Sequence, residues 1–158
     1  MHARRDHFAS PPPVAGRGIL AVRNRAAQPR LPTAWVRRAA AALLAERALA
    51  HASWSVWLAG DRVVRALNRQ WRGKDRPTDV LSFPQDGAAG PELGDVVISY
   101  DTAQRQARDG GWTLAEEVTR LLVHGFLHLQ GYDHVRGGRQ AARMRREELR
   151  LAALVPPP

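Results

Sequence analysis

The chain has 158 residues, enough for one domain with a sizeable core and hardly two. Hydrophobic residues make up 44% and charged residues 25%, a globular balance that excludes a disordered chain. There is no Cys and no apolar run approaching the roughly 18 residues of a membrane span, which excludes disulfide frameworks, thiol chemistry and a transmembrane helix. No apolar stretch follows Arg4 and Arg5 as it would in a secretory signal, so a cytoplasmic setting is expected. Lys and Arg number 24 against 15 Asp and Glu, net +9. The excess sits at the ends: residues 1–30 carry six Arg and one acid, and residues 135–150 carry six Arg and two Glu. Two readings stand, a solvated basic tail with a solvated helix face, or the footprint of a polyanion such as RNA.

In chain order, residues 1–16 contain Pro11-Pro12-Pro13 and read as a disordered extension before a single domain over 17–155. Residues 18–23 suit a short strand. Thr33 is expected to N-cap an Ala- and Leu-rich helix over about 33–50. Trp54 to Leu58 alternates with Ser and reads as a strand. Asp61 is expected to cap a short helix with Val64, Leu67 and Trp71 on one stripe, Trp71 in the core. From Asn68 a polar loop is expected, then a short buried strand, Asp79 to Phe83, and a Gly- and Pro-rich loop, Gln85 to Pro91. The strand Gly94 to Ser99 follows so closely that the two are predicted to pair as an antiparallel hairpin. Asp101 opens a polar helix ending at Gly110-Gly111. Thr113 and Glu116 form a capping box for a helix carrying Leu114, Val118, Leu121, Leu122 and Leu129, and Gly131 fits the left-handed position beyond its end. A last helix is expected over about Gly138 to Leu154. This order predicts an α/β (α+β) fold, a small mixed sheet of about four strands packed with helices.

Three of the six His lie in one window, H-G-F-L-H-L-Q-G-Y-D-H, His124 to His134. His124 and His128 are one turn apart on one helix face, and the turn at Gly131 returns His134 toward them. Three imidazoles with an open fourth position are the pattern of a catalytic zinc in a zincin-like helix, one Zn2+ per chain. The spacing is that of the metzincins, but Gly125 stands where their Glu base would be, which argues against a metallopeptidase.

H-G-F-L-H-L-Q-G-Y-D-H resembles the signature of the YbeY family, bacterial rRNA maturation factors and endoribonucleases. L-N-R-Q-W-R-G-K-D-R-P-T-D-V-L-S-F-P resembles that family's second signature, and L-G-D-V-V-I-S between them fits as well. The resemblance covers roughly residues 18 to 154. It implies a metal-dependent hydrolase with zinc on His124, His128 and His134, catalytic roles for His124 and Arg72, and no small organic cofactor. It further implies single-strand-specific cleavage in 16S rRNA 3′-end maturation, with ribosome quality control. The implied partners are rRNA, the small ribosomal subunit and ribosome-associated proteins, with no membrane. The net positive last helix departs from the family pattern, and so does the segment before Gly18.

The guanidinium of Arg72 matches a phosphate and suits stabilising charge on phosphoryl oxygens, while the alternative is a salt bridge with Asp75 or Asp79. Lys74 and Arg76 flank it as contacts to the RNA backbone or as solvated charges. Asp133, Asp79 and Asp95 are candidate carboxylates for orienting ligand His rings, or caps and turns. Trp71 and Tyr132 have rings that suit stacking on a base. A second functional reading is a ribosome-assembly factor whose zinc is structural.

Overall fold

The computed structural model describes residues 21–24, 31–49, 51–85, 92–132 and 138–158. The elements run β1 (Ala21–Asn24), α1 (Thr33–Glu46), β2 (Ser53–Ala59), α2 (Asp61–Arg72), β3 (Val80–Pro84), β4 (Glu92–Ser99), α3 (Tyr100–Gly110), α4 (Leu114–Leu129) and α5 (Gly138–Ala152). This is the order expected from the sequence. The sheet is four-stranded and mixed, in the order β1-β2-β4-β3. β1 and β4 run parallel to β2, and β3 pairs antiparallel with β4 as the short connection predicted. The extension over 1–16 and the start of the first strand lie outside the described residues.

Alternation along β2 and β4 sorts their side chains between two faces. Trp54, Val56, Leu58, Val96 and Ile98 join the larger core with α1, α4 and buried residues of α3 and α5. Ala59, Leu81 and Val97 face the other way and pack on Val64 and Leu67 of α2. Burial on both faces is why β4 reads as a near-continuous apolar run. The ring of Phe126 on α4 packs against Trp54, centroids 4.9 Å apart. At the chain's end, the Trp35 indole N–H donates to the carbonyl of Pro156 at 2.7 Å.

Three local expectations are corrected. Pro32, not Thr33, is the N-cap of α1, and Thr33 is already helical. Pro has no N–H and holds an extended φ of −63°, so it ends the chain's approach without a side-chain cap. Asp61 does not cap its own helix, whose N-cap is Gly60. Its carboxylate instead accepts from the hydroxyls of Ser99 and Thr102 at the start of α3, while Asp101 accepts the Asp61 backbone N–H at 2.8 Å. Two adjacent helix starts thus exchange carboxylates, which no local reading of either helix reveals. Asn68 to Arg72 complete α2 rather than beginning a loop.

Helix α4 begins as predicted. The Thr113 hydroxyl accepts the Glu116 N–H at 3.2 Å, and Glu116 accepts the Thr113 N–H at 2.7 Å. It ends in a Schellman turn: Gly131, at φ 84°, donates to the His128 carbonyl and Tyr132 to that of Leu127. Between these ends it lies close on the sheet at Gly125. A Cβ there would stand 2.6 Å from Val96 Cγ1 and 3.3 Å from Ser82 Oγ. Val96 is fully buried and has no room to yield. Gly125→Ala is therefore expected to lose stability by about 1–3 kcal/mol from overpacking, less the roughly 1 kcal/mol that alanine gains in helix propensity. Urea denaturation of the two proteins checks the sign.

Candidate functional site

A cleft of about 560 Å³ opens between α4, the free edge strand β3 and the C-terminal end of α2. His124 and His128 line one side, Arg72 and Lys74 the other, with Asp79 and Ser82 of the β3 segment between them. Their spacing of four on α4 places the two imidazoles edge to face, centroids 4.5 Å apart and Nε2 atoms 3.0 Å apart. The Nδ1 of His124 lies 2.6 Å from Glu148 Oε1 on α5. The Glu148 carboxylate thus takes the Nδ1 side of His124, which leaves Nε2 to meet Nε2 of His128 in the cleft. His134 lies outside the described residues, as does Asp133. Among the described residues no group of three or more His, Cys, Asp or Glu is gathered as a metal site.

The end of α2 presents the cations. Gly73 takes the left-handed conformation, φ 67°, and its N–H and that of Lys74 close the helix on the carbonyls of Arg69 and Asn68. Asn68 is buried, and its side-chain amide donates to the carbonyl of Arg76 at 2.8 Å. That bond clamps the turn that carries Lys74. Asn68 is a positioning residue that sequence reasoning missed, because an Asn before a Gly turn has no distinctive pattern of its own.

The alternative for Arg72 was a salt bridge to Asp75 or Asp79. Asp75 is held instead by the guanidinium of Arg65, with bonds of 2.9 and 3.0 Å. Asp79 accepts from Gln106 at 3.2 Å and lies 3.6 Å from Arg120. Among the described residues neither carboxylate pairs with Arg72, which faces the cleft. Lys74 joins it there, and Arg76 is exposed outside the cleft lining.

Among the described residues the carboxylate at His124 is Glu148, and neither Asp79 nor Asp95 takes that place; Asp133 lies outside them. Glu148 is 24 residues beyond His124 on another helix, and nothing local links the two. Asp79 serves a different network: fully buried Glu117 accepts from Arg120 and from the Trp112 indole, at 2.7 Å, and Arg120 reaches on to Asp79. This ties the start of α4 to the start of β3. Asp95 lies on the far face of β4, toward α2, where it accepts from the Ser55 hydroxyl and stands opposite Phe83. Tyr132 is covered by two guanidiniums, Arg47 at 5.5 Å and Arg143 at 5.1 Å from its ring centre, so its face is not open to a base.

The family model described as Endoribonuclease YbeY matches residues 22–155 of this chain. An Endoribonuclease YbeY of Anaeromyxobacter is 53% identical over 132 residues, 82% of this chain and 66% of the relative. One of Aquifex aeolicus is 54% identical over 96 residues, 60% of this chain and 64% of the relative. The chain thus spans slightly less than two thirds of the length of these relatives. The solution structure of TM1509 from Thermotoga maritima superposes with a TM-score of 0.65 at 24% identity, covering 87% of this chain and 89% of that one, which shows a shared fold.

Burial, with a smaller push from Glu92, holds the Asp95 carboxyl above the ordinary carboxylate range against the Ser55 hydrogen bond. The folded state then binds that proton more tightly than the unfolded chain. Its contribution to stability is greatest below the unfolded value near pH 4 and declines as pH rises through the folded one. Asp95→Asn is expected to raise the melting temperature at about pH 7, with the gain shrinking toward about pH 4. Thermal melts across that range check this.

Proposed function

We propose that this chain, which belongs to the YbeY family, is a zinc-dependent endoribonuclease that hydrolyses phosphodiester bonds in single-stranded RNA. The observation that carries the reading is the convergence in one cleft of an oriented His pair from α4 and an Arg from the end of α2 that makes no ion pair among the described residues. The names of the relatives support the same reaction.

The donor chemistry suits zinc. Two imidazoles present their Nε2 atoms at one place, and one is braced by a carboxylate on its other nitrogen, the arrangement that orients a ligand His. His124, His128 and His134 are the proposed ligands. When bound, zinc supplies Lewis acidity toward a phosphoryl oxygen and lowers the pKa of water from about 15.7 toward 7. The chain's own residues do the rest. Arg72 holds the phosphate through its planar fork and stabilises charge that grows on the phosphoryl oxygens. Lys74 adds a point charge on the backbone of the bound strand. A side chain at Gly125 would run into Val96 and Ser82, so that position offers no room for the carboxylate base of a metallopeptidase. The proposed substrate is rRNA of the small ribosomal subunit, at the 3′ end of 16S rRNA, and the proposed setting is the cytoplasm. A net charge of +9 suits such a partner. Among the described residues no helix is long and apolar enough to cross a membrane.

Metal content and single-stranded RNA cleavage, measured together, test the proposal. Wild type and Arg72→Ala should hold stoichiometric zinc while His128→Ala does not. Cleavage by Arg72→Ala should fall by about 10²–10³. Equal cleavage by all three would sink the reading. Replacing Glu148 by Ala should weaken zinc binding by about 10–100-fold, read by competition with a chromophoric chelator.

A further inference from the structure

Trp71 occupies the last turn of α2, where the apolar stripe pointed to the core, yet the side chain is 53% exposed. Val64 and Leu67 are buried as expected, and the stripe ends with them. The indole rests against Phe83, ring centroids 6.1 Å apart and planes at 66°. Phe83 in turn packs on the cluster of Val64, Leu67, Leu81 and Val97. The ring is thus braced from the protein side while much of it stays open to solvent.

Its neighbours are cations. Arg69, Arg72, Lys74 and Arg76 are all exposed in the same short stretch. The acids nearby are committed elsewhere, Asp75 to Arg65 and Asp79 to Gln106 and Arg120. An open aromatic ring among exposed cations is the combination that binds single-stranded nucleic acid, with phosphates on the cations and a base on the ring. The sheet adds a direction. Ser82 faces α4 and lines the cleft, whereas Phe83, next in β3, faces α2. β3 is an edge strand. Arg72 and Trp71, adjacent in sequence, therefore serve the two sides of that edge.

We propose that Trp71, braced by Phe83, is a nucleobase-stacking subsite. It takes an unpaired base of the RNA strand whose phosphate lies at Arg72, the strand crossing the free edge of β3. This rests on the reading of the cleft as an RNA-cleaving site. Tyr132 and Trp112 do not offer the same surface. The first is covered by Arg47 and Arg143, and the second lies outside the cleft lining, before the start of α4.

The test is equilibrium binding of the whole protein to a short fluorescent single-stranded RNA and to an oligomer of equal length with abasic positions, followed by anisotropy. Trp71→Leu keeps an apolar contact for Phe83 but has no π face, and Trp71→Phe keeps one. Trp71→Leu should weaken binding of the base-bearing RNA by roughly tenfold or more, and Trp71→Phe by much less. Both should bind the abasic oligomer as wild type does, with an unchanged salt dependence, since no phosphate contact is lost. If wild type binds RNA and Trp71→Leu binds it equally well, the subsite is overturned and the cleft reading stands. Equal weakening on both oligomers also overturns it, because the loss then has nothing to do with bases. If wild type binds neither oligomer, the RNA reading of the cleft falls, and the subsite with it.

Discussion

Helix α4 approaches the sheet most closely where it has no side chain, at Gly125, and the His pair depends on that approach. A Cβ at Gly125 would run into Val96 and press on Ser82, the cross-strand pair of β4 and β3. With glycine there, α4 settles low enough for the residues on either side, His124 and Phe126, to take opposite tasks. Phe126 drives into the core against Trp54, and His124 stands at the mouth of the cleft beside the edge strand. The same constraint explains the missing carboxylate. A Glu at this position would have to displace a fully buried valine, so the helix cannot carry both a metzincin-like base and this packing.

Charge networks then fix the helices around that contact. Buried Glu117 holds Arg120 and Trp112, and Arg120 reaches Asp79 at the foot of β3, so the start of α4 is linked to the edge strand. Glu148 ties α5 to His124, and Glu147 beside it pairs with Arg47. Adjacent carboxylates on α5 therefore serve two purposes, one at the imidazole and one on the flank of α1. On α2, Arg65 is spent on Asp75, while Arg72 at the helix end makes no ion pair among the described residues, which suits a group that meets phosphate.

Much of this was legible in the chain. The T-x-x-E box and Gly131 placed both ends of α4, since each is a local hydrogen-bonding device. The i, i+4 histidines needed only helical geometry to meet. The hairpin of β3 and β4 followed from the short connection between two apolar runs. The role of Asp61 is not legible locally, because its partners, Ser99 and Thr102, are some 40 residues away and arrive only when α2 and α3 lie side by side. Trp71 departs from the core expected of it because an apolar stripe gives the direction of a side chain but not where the neighbouring layer stops. The sheet ends at β3, so the last turn of α2 overhangs its edge.

The residue pattern by itself determined the kinds and order of the elements, the mixed sheet and the helix that pairs two histidines. These follow from periodicity, caps and turns, which act within a few residues. Tertiary structure alone decided that Glu148 of a distant helix meets His124, that Arg72 shares a cleft with the His pair, and that Trp71 stays open. Those outcomes depend on which side chains meet across helix and strand boundaries. Packing of the two faces of one sheet settles that, and no spacing along the chain encodes it.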